Sequence, residues 1–155
     1  MNVGIAGVGE MGAAIAGHIT RKGHKVTVYD IDAARLKAAS EGGIATAPTL
    51  EDLARTAEIF LAVVSTDEQS REVTDTISRH AAKSSLIAVV ATNNPYTMQE
   101  LDVLCRERGH RFIDAPVVYG ASGAREGTLL SLCGGAEEDI ERARPVLMAY
   151  SRNVL

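Results

Sequence analysis

Three glycines near the start of the chain constrain the fold more than any other feature of the sequence. Gly7, Gly9 and Gly12 form the spacing G-x-G-x-x-G, directly after an apolar run and directly before a helical pattern. There the first glycine permits a tight turn, the second lets backbone approach a pyrophosphate, and the third lets the helix pack against the strand. The helix N-terminus adds unpaired N–H groups and partial positive charge. The segment Gly7-Val8-Gly9-Glu10-Met11-Gly12 is therefore predicted to bind a dinucleotide, the alternative being a glycine-rich turn without a ligand.

Short apolar runs alternate with longer helical patterns along the whole chain. Several runs are continuously apolar, as in strands of a parallel sheet that is covered on both faces. This alternation implies right-handed crossovers. We therefore predict an α/β Rossmann fold with a doubly wound, mostly parallel sheet, in a single domain over residues 1–155. The predicted strands are Val3–Ala6, Val26–Tyr29, Ile59–Val63, Leu86–Val90, Phe112–Asp114 and Leu129–Cys133, the predicted helices span about 10–22, 33–41, 49–56, 68–81, 97–108 and 137–149, and the stretch 120–127 is predicted to be a structured loop.

Asp30 indicates which cofactor the site prefers. It follows the second predicted strand, about 20 residues past the glycines, where an acidic residue hydrogen-bonds the adenosine ribose of NAD. A carboxylate at this position repels the 2′-phosphate of NADP. The next residue is Ile31, and the one nearby guanidinium, Arg35, lies a helical turn further on. NAD is therefore favoured over NADP, although Asp30 could instead cap the following helix, a role open also to Asp32.

Charge, hydropathy and cysteine usage exclude several functional classes. The net charge is −4 without a basic cluster, which argues against nucleic acid as a partner. No apolar run approaches the length of a membrane span, and no signal peptide opens the chain, so we expect a cytoplasmic protein. Cys105 and Cys133 lack metal-ligand or redox spacing. No metal site is predicted, and structural roles are expected for the four histidines, which are His18, His24, His80 and His110.

Two motifs together carry a resemblance to a known family. The start Gly4-Ile5-Ala6-Gly7-Val8-Gly9-Glu10-Met11-Gly12 resembles the β-hydroxyacid dehydrogenases, which include 3-hydroxyisobutyrate dehydrogenase, tartronate semialdehyde reductase and 6-phosphogluconate dehydrogenase. The second motif is similar to the family's substrate-binding loop and following strand, and it comprises Asp114-Ala115-Pro116-Val117, Gly120, Gly123-Ala124, Gly127-Thr128-Leu129 and Gly134-Gly135. A third, weaker match is Ala91-Thr92 with Pro95. The resemblance covers essentially the whole chain.

The resemblance implies roles for individual residues. Gly7, Gly9, Glu10, Met11 and Gly12 would hold the pyrophosphate and approach the nicotinamide, and Asp30 would hold the ribose. Further residues implied at the cofactor are Val64, Ser65, Thr66 and Thr92, and Val118, Tyr119 and Gly120 are implied at the substrate. The family usually has Ser-Gly-Gly where this chain has Val118-Tyr119-Gly120, so its carboxylate pocket is altered. Tyr119 would either offer its hydroxyl to the substrate or close the pocket as a partly buried aromatic.

The family's catalytic lysine has no counterpart in this chain. In the family that lysine lies on a helix beyond the dinucleotide domain, whereas the lysines here are Lys22, Lys25, Lys37 and Lys83. The segment 151–155 resembles the strand before that helix, so the lysine is expected beyond Leu155. We therefore expect a fragment rather than a naturally short protein, with the helical substrate and dimerisation domain absent and no catalytic residue in this chain.

The implied function is hydride transfer between NAD and a small β-hydroxy acid or its semialdehyde, in a parent protein that is a homo-oligomer through the missing domain. Two alternatives are open. One is a non-enzymatic dinucleotide-binding or sensor module, which the altered Val118-Tyr119 pair and the missing lysine favour. The other is a reductase of imines or other carbonyls, because related reductases share this domain.

Overall fold

Ten strands and seven helices follow one another along the chain in the computed structural model, which describes residues 1–155. The predicted helices and long strands are all present, with bounds that differ by a few residues. The strands are β1 (Asn2–Ala6), β2 (Lys25–Tyr29), β3 (Ala45–Thr46), β4 (Ile59–Ala62), β5 (Leu86–Val89), β6 (Arg111–Asp114), β7 (Val117–Val118), β8 (Leu129–Ser131), β9 (Gly134–Gly135) and β10 (Ser151–Val154). The helices are α1 (Glu10–Arg21), α2 (Ala33–Glu41), α3 (Leu50–Ala54), α4 (Asp67–His80), α5 (Pro95–Glu107), α6 (Gly120–Glu126) and α7 (Glu137–Leu147).

The main sheet has seven strands in the order β3-β2-β1-β4-β5-β6-β9. Every neighbouring pair is parallel except β6 and β9, which are antiparallel. The predicted doubly wound, mostly parallel Rossmann architecture is confirmed. Along the chain the strand order runs outward from β1 to β3 and then returns to β4 on the other side of β1. This reversal is the place where α/β proteins of this type bind their ligands, at the carboxyl ends of the strands.

Both faces of the main sheet are buried, as the continuous apolar runs predict. Alternate side chains of β4 enter two different cores: Ile59 and Leu61 pack on one face, and Phe60 and Ala62 pack on the other. All four residues are fully buried. Strands β4 and β5 are therefore apolar throughout, and polar groups that could bind a ligand on this side of the sheet lie beyond the strand ends.

A second sheet of three strands, in the order β10-β8-β7, lies beyond the main one. Strand β8 is parallel to β10 and antiparallel to β7. The predicted strand Leu129–Cys133 therefore ends at Ser131, before the separate short strand β9 begins. The hydroxyls of Ser131 and Ser151 hydrogen-bond each other at 2.8 Å between β8 and β10, which satisfies two buried polar groups.

The prediction of a loop at 120–127 was wrong for most of that stretch, because residues 120–126 form α6. The helix begins after Tyr119 and ends before Gly127, and both flanking residues have left-handed backbone. A Cβ on Gly123 would lie 2.8 Å from Cβ of Tyr119 and 3.1 Å from the Leu129 side chain. Close packing on β8 thus outweighs the poor intrinsic helix propensity of glycine.

None of the seven helices combines the length and the apolar character that crossing a lipid bilayer requires.

Candidate functional site

The first and third glycines of the loop between β1 and α1 make close backbone contacts. Gly7 has φ +97°, and a Cβ there would lie 2.1 Å from the carbonyl oxygen of Val63. A Cβ on Gly12 would lie 2.0 Å from the carbonyl oxygen of Gly7. These two positions therefore admit only glycine without movement of the backbone, in agreement with the tight turn predicted at Gly7 and the close helix packing predicted at Gly12.

The second glycine has no close backbone contact. A Cβ on Gly9 would meet nothing closer than Nη1 of Arg35, at 3.7 Å. Gly9 is the N-cap of α1, and no side chain caps that helix end. The uncapped N–H groups and the helix dipole are thus available to an anion at this point. The loop fits the pyrophosphate of a dinucleotide, because a side chain at Gly9 would occupy the room that the backbone leaves open.

A cleft of about 630 Å³ runs along the carboxyl ends of β1, β2 and β4. The predicted site residues that line it are Gly7, Gly9, Glu10, Met11, Gly12, Asp30, Ile31, Val64 and Ser65. Sequence reasoning did not place in the site the eleven other lining residues, namely Ala6, Tyr29, Arg35, Thr49, Leu50, Glu51, Val63, Gln69, Glu72, Val73 and Thr76. Six of them belong to α3 and α4, and of these two helices only α4 follows a strand that ends at the cleft.

Three predicted cofactor residues do not line this cleft. Val8 is buried behind the loop with 4% of its surface exposed. Thr66 caps α4: its side chain accepts the N–H of Gln69, and Oε1 of Gln69 accepts the N–H of Thr66 and, at 2.9 Å, that of Ser65. This capping box fixes the segment that leaves β4. Thr92 is exposed, on the loop after β5.

Asp30 is buried at the end of β2 and holds two backbone groups. Oδ2 accepts the N–H of Val8 at 2.8 Å, and Oδ1 accepts the N–H of Asp32 at 2.9 Å. The first bond crosses from β2 to the glycine loop, so the carboxylate fixes the loop's position. Asp32, not Asp30, is the N-cap of α2, and its side chain accepts the N–H of Ala34. The capping role that the sequence left open for Asp30 thus belongs to Asp32.

Arg35 lies beside Asp30, closer than its separation in sequence suggested. Its Nη1 is 3.6 Å from Oδ2 of Asp30, and its Nε is 3.8 Å from Oδ2 of Asp32. Helix α2 begins at Ala33, so its first turn carries Arg35 back over the cleft. The cleft therefore holds a carboxylate and a guanidinium side by side at the end expected for the adenosine ribose.

The predicted substrate residues lie away from this cleft. Val118 ends β7, and Tyr119 and Gly120 both have positive φ, +84° and +54°. The Tyr119 ring packs against the Arg152 guanidinium at 4.7 Å, and its hydroxyl accepts a hydrogen bond from Arg152 Nη2 at 2.8 Å. Tyr119 and Arg152 border a second, shallower pocket with Ser122 and Glu126. Two consecutive left-handed residues explain why Gly-Gly suits this turn.

Residues 151–155 pair with β8, and the family's lysine is expected after them in the sequence. Residues Ser151–Val154 form β10, as the resemblance implies. Leu155 continues this pairing: its N–H donates to the carbonyl oxygen of Ser131 at 3.0 Å, and its own carbonyl oxygen accepts the N–H of Cys133 at 2.6 Å. The Leu155 side chain is exposed, and the residue does not line the cleft. No lysine lines the cleft either, so the lysine beyond Leu155 stays a prediction.

Several titratable groups outside the cleft are buried. Burial raises the pKa of Cys105 to about 12 and also raises the pKa of Cys133, so both thiols stay protonated at neutral pH. Burial likewise raises the pKa of Asp114, whose Oδ1 has no hydrogen-bond partner. His18 donates from Nε2 to the carbonyl oxygen of Arg125 at 3.1 Å, which is a structural contact.

Comparison with known families decides the membership of the chain. The model of the family described as the NAD binding domain of 6-phosphogluconate dehydrogenase matches residues 2–155. The chain belongs to this family. The NAD cofactor predicted from the glycine loop and Asp30 is thereby confirmed at the level of the domain, and so is the resemblance to the hydroxyacid dehydrogenases.

Relatives with curated names support the same assignment. An NAD-dependent L-serine dehydrogenase from Pseudomonas aeruginosa is 28% identical over 98% of this chain and 52% of its own length. A 3-sulfolactaldehyde reductase from Escherichia coli is 26% identical over 99% of this chain and 52% of its own length. The chain therefore spans about half the length of the curated relatives it matches.

Solved structures agree with this fold. A 3-hydroxyisobutyrate dehydrogenase from Mycobacterium tuberculosis, determined with L-serine, superposes with a TM-score of 0.96 at 26% identity, covering 99% of this chain and 53% of that one. An imine reductase from Streptomyces aurantiacus, at 18% identity, has a TM-score of 0.90 over 99% of this chain and 54% of that one. The second likeness shows only that the two share a fold.

Proposed function

We propose that this chain is the dinucleotide-binding half of an oxidoreductase that transfers a hydride between NAD and a small β-hydroxy acid or its semialdehyde. The observation that carries the proposal is the open, uncapped start of α1 at Gly9, which lies in a cleft that also contains Asp30. The names of the relatives, two dehydrogenases and a reductase of small hydroxy acids or aldehydes among them, support this substrate class.

Each part of the cleft has a task in this function. The N–H groups at the start of α1 bind the pyrophosphate, and the buried carboxylate of Asp30 accepts hydrogen bonds from the adenosine ribose. Met11 and Val64 supply apolar walls that keep water from the cofactor. The bound nicotinamide supplies or accepts the hydride.

The rest of the active site belongs to the proposed parent protein. The loop Val118-Tyr119-Gly120 supplies one side of the substrate pocket, and a lysine beyond Leu155, on a further helical domain, assists proton transfer. That domain also forms the contacts of a homo-oligomer. A cytoplasmic location and a small-molecule partner rather than nucleic acid belong to the same proposal.

Titration of the chain with NADH and NADPH, followed by nicotinamide fluorescence, tests the cofactor part. We expect NADH to bind more tightly, and Asp30→Asn to reduce the preference by about tenfold, because it removes the charge facing the 2′-phosphate and keeps an acceptor for the Val8 N–H. Asp32→Asn is the matched control, since asparagine also caps helices and the residue is exposed. Binding of neither nucleotide would count against the proposal.

A second candidate is a reductase of imines or other carbonyls, because an imine reductase shares the fold of this domain. A substrate panel on the parent protein separates the two. Turnover of imines without turnover of hydroxy acids would exclude the β-hydroxyacid assignment. Tight dinucleotide binding with no turnover of either class would favour a non-enzymatic sensor.

A further inference from the structure

Helix α6 is attached to α1 by contacts near both ends of the first helix. The Arg125 guanidinium forms an ion pair with the Glu10 carboxylate, at the first residue of α1. The carbonyl oxygen of Arg125 accepts the hydrogen bond from Nε2 of His18, further along α1. Gly127 permits this approach, because a Cβ there would lie 2.6 Å from the His18 ring. One residue of α6 thus reaches the phosphate-binding end of α1.

The ion pair contributes little to the stability of the fold. The side chains of Glu10 and Arg125 keep 63% and 59% of their surface exposed. Exposed pairs of this kind are screened by water and salt, and they stabilise proteins only weakly. The ion pair therefore matters less for stability than for the net charge at this point of the surface, where Arg125 offsets Glu10.

Glu10 has an unfavourable charge for the position that it occupies. It lines the cleft at the start of α1, next to the open glycine of the phosphate loop. When no nucleotide is bound, a carboxylate there stabilises α1, because it interacts favourably with the helix dipole. The same carboxylate repels a pyrophosphate and competes with it for the positive end of the helix. Arg125 supplies the compensating positive charge from a different element.

We propose that Arg125 is a positioning residue for the cofactor: by neutralising Glu10, it sets the affinity of the phosphate loop for the dinucleotide. This inference rests on the proposed dinucleotide binding. It also makes α6, whose N-terminal turn carries Tyr119, an electrostatic part of the cofactor site although no residue of α6 lines the cleft.

NADH titrations of four forms of the chain test the proposal: wild type, R125M, E10Q and E10Q/R125M. Methionine keeps most of the length of the arginine stem and removes the charge. We expect R125M to weaken NADH binding by about three- to tenfold at low ionic strength, with the loss shrinking as salt is added. In the E10Q background the same substitution should change binding by less than about twofold, because no carboxylate is left unpaired. R125K should bind NADH like the wild type.

Arg21→Met is the matched control. Arg21 lies on α1 itself and, like Arg125, contacts His18, with Nη2 2.9 Å from Nδ1, but it sits at the far end of the helix from Glu10. Its substitution removes an equal charge at the opposite end of α1 and should leave NADH affinity unchanged. Melting temperatures of all variants, measured alongside, report any loss of structure.

The possible results separate the inference from the function on which it rests. Equal NADH affinity of wild type and R125M would overturn the role of Arg125 and leave the proposed function intact. If R125M weakened NADH binding equally in the wild-type and E10Q backgrounds, the role of Arg125 would also be overturned, because the effect would then not act through Glu10. A wild-type chain that binds no NADH would overturn the proposed function and this inference with it.

Discussion

At the scale of single residues, the cofactor end of the cleft depends on two neighbouring charges. The sequence predicts Asp30 from its position after the second strand, because the spacing from a glycine loop to that strand is nearly constant in such folds. Arg35 is harder to predict, because it lies a helical turn further on in sequence. The structure shows that this turn brings it to 3.6 Å from Asp30. Sequence spacing locates a strand end well but does not show which way the next helix turns.

The backbone at Tyr119 leads to a prediction about stability. A non-glycine residue with φ +84° is strained, because its Cβ approaches neighbouring backbone. Tyr119→Gly and Tyr119→Ala both lose the contact with Arg152, but only alanine keeps the strain. We expect the free energy of unfolding of the glycine variant to exceed that of the alanine variant by about 1 kcal/mol. Chemical denaturation of the two variants measures the difference, and an alanine variant of equal or greater stability would contradict the strain argument.

At the scale of elements, two glycines near the start of α1 are expected to have different roles: Gly12 in packing and Gly9 in binding. Gly12→Ala places a Cβ against the Gly7 carbonyl oxygen and should lower the free energy of unfolding by about 1–3 kcal/mol. Gly9→Ala places its Cβ in ordinary van der Waals contact with the Arg35 side chain, so we expect the stability to change by less than about 1 kcal/mol. NADH binding should nevertheless be lost in Gly9→Ala, because the methyl group occupies the space that the pyrophosphate requires.

Denaturation and NADH titration of these two variants check both parts of the prediction. If Gly9→Ala kept its affinity for NADH, the backbone at this glycine would not be the phosphate contact. If Gly12→Ala were as stable as the wild type, the close approach of α1 to the loop would not be essential for the fold.

The shortest strands and helix α6 are not predictable from the local sequence. Strands β3, β7 and β9 have two residues each, too few to show any alternation of apolar and polar side chains. Helix α6 has three glycines within or next to it, at 120, 123 and 127, and intrinsic propensity opposes a helix there. Only contacts from distant parts of the chain form these elements, so local sequence carries no signal for them. The long buried strands, by contrast, are predictable because both of their faces must be apolar.

At the scale of the whole molecule, we expect the free energy of unfolding to decrease in mild acid, partly because of the buried side chain of His110. This residue is 2% exposed, and its Nε2 donates to the carbonyl oxygen of Ser78 in α4 at 2.9 Å. Burial lowers the pKa of His110 below its ordinary value. Above the unfolded-state pKa of about 6.5, His110 is neutral in both states and imposes no penalty. Below it the unfolded chain binds a proton that the folded chain does not, so the free energy of unfolding decreases as the pH falls.

His110→Gln isolates this contribution, because glutamine can still donate to Ser78. Between about pH 7.5 and pH 5.5 we expect the stability of the wild type to fall by roughly 0.5–1 kcal/mol more than that of the variant. His24, whose pKa is also lowered by burial, titrates in both proteins and cancels in the comparison. Denaturant titrations at several pH values measure the two slopes, and parallel slopes would show that His110 does not contribute.

The strand order also determines when the cleft can exist during refolding. One wall of the cleft comes from β1 and β2, which are close in sequence. The other wall follows β4, which is distant in sequence from its neighbour β1: Val3 of β1 pairs with Ile59 of β4. Pairing between such distant segments closes a long loop and is slow compared with local structure formation. An intermediate with only the first two strands paired would have the glycines and Asp30 but no opposite wall. Cofactor binding would therefore appear late in refolding and would mark the moment at which the two halves of the sheet join.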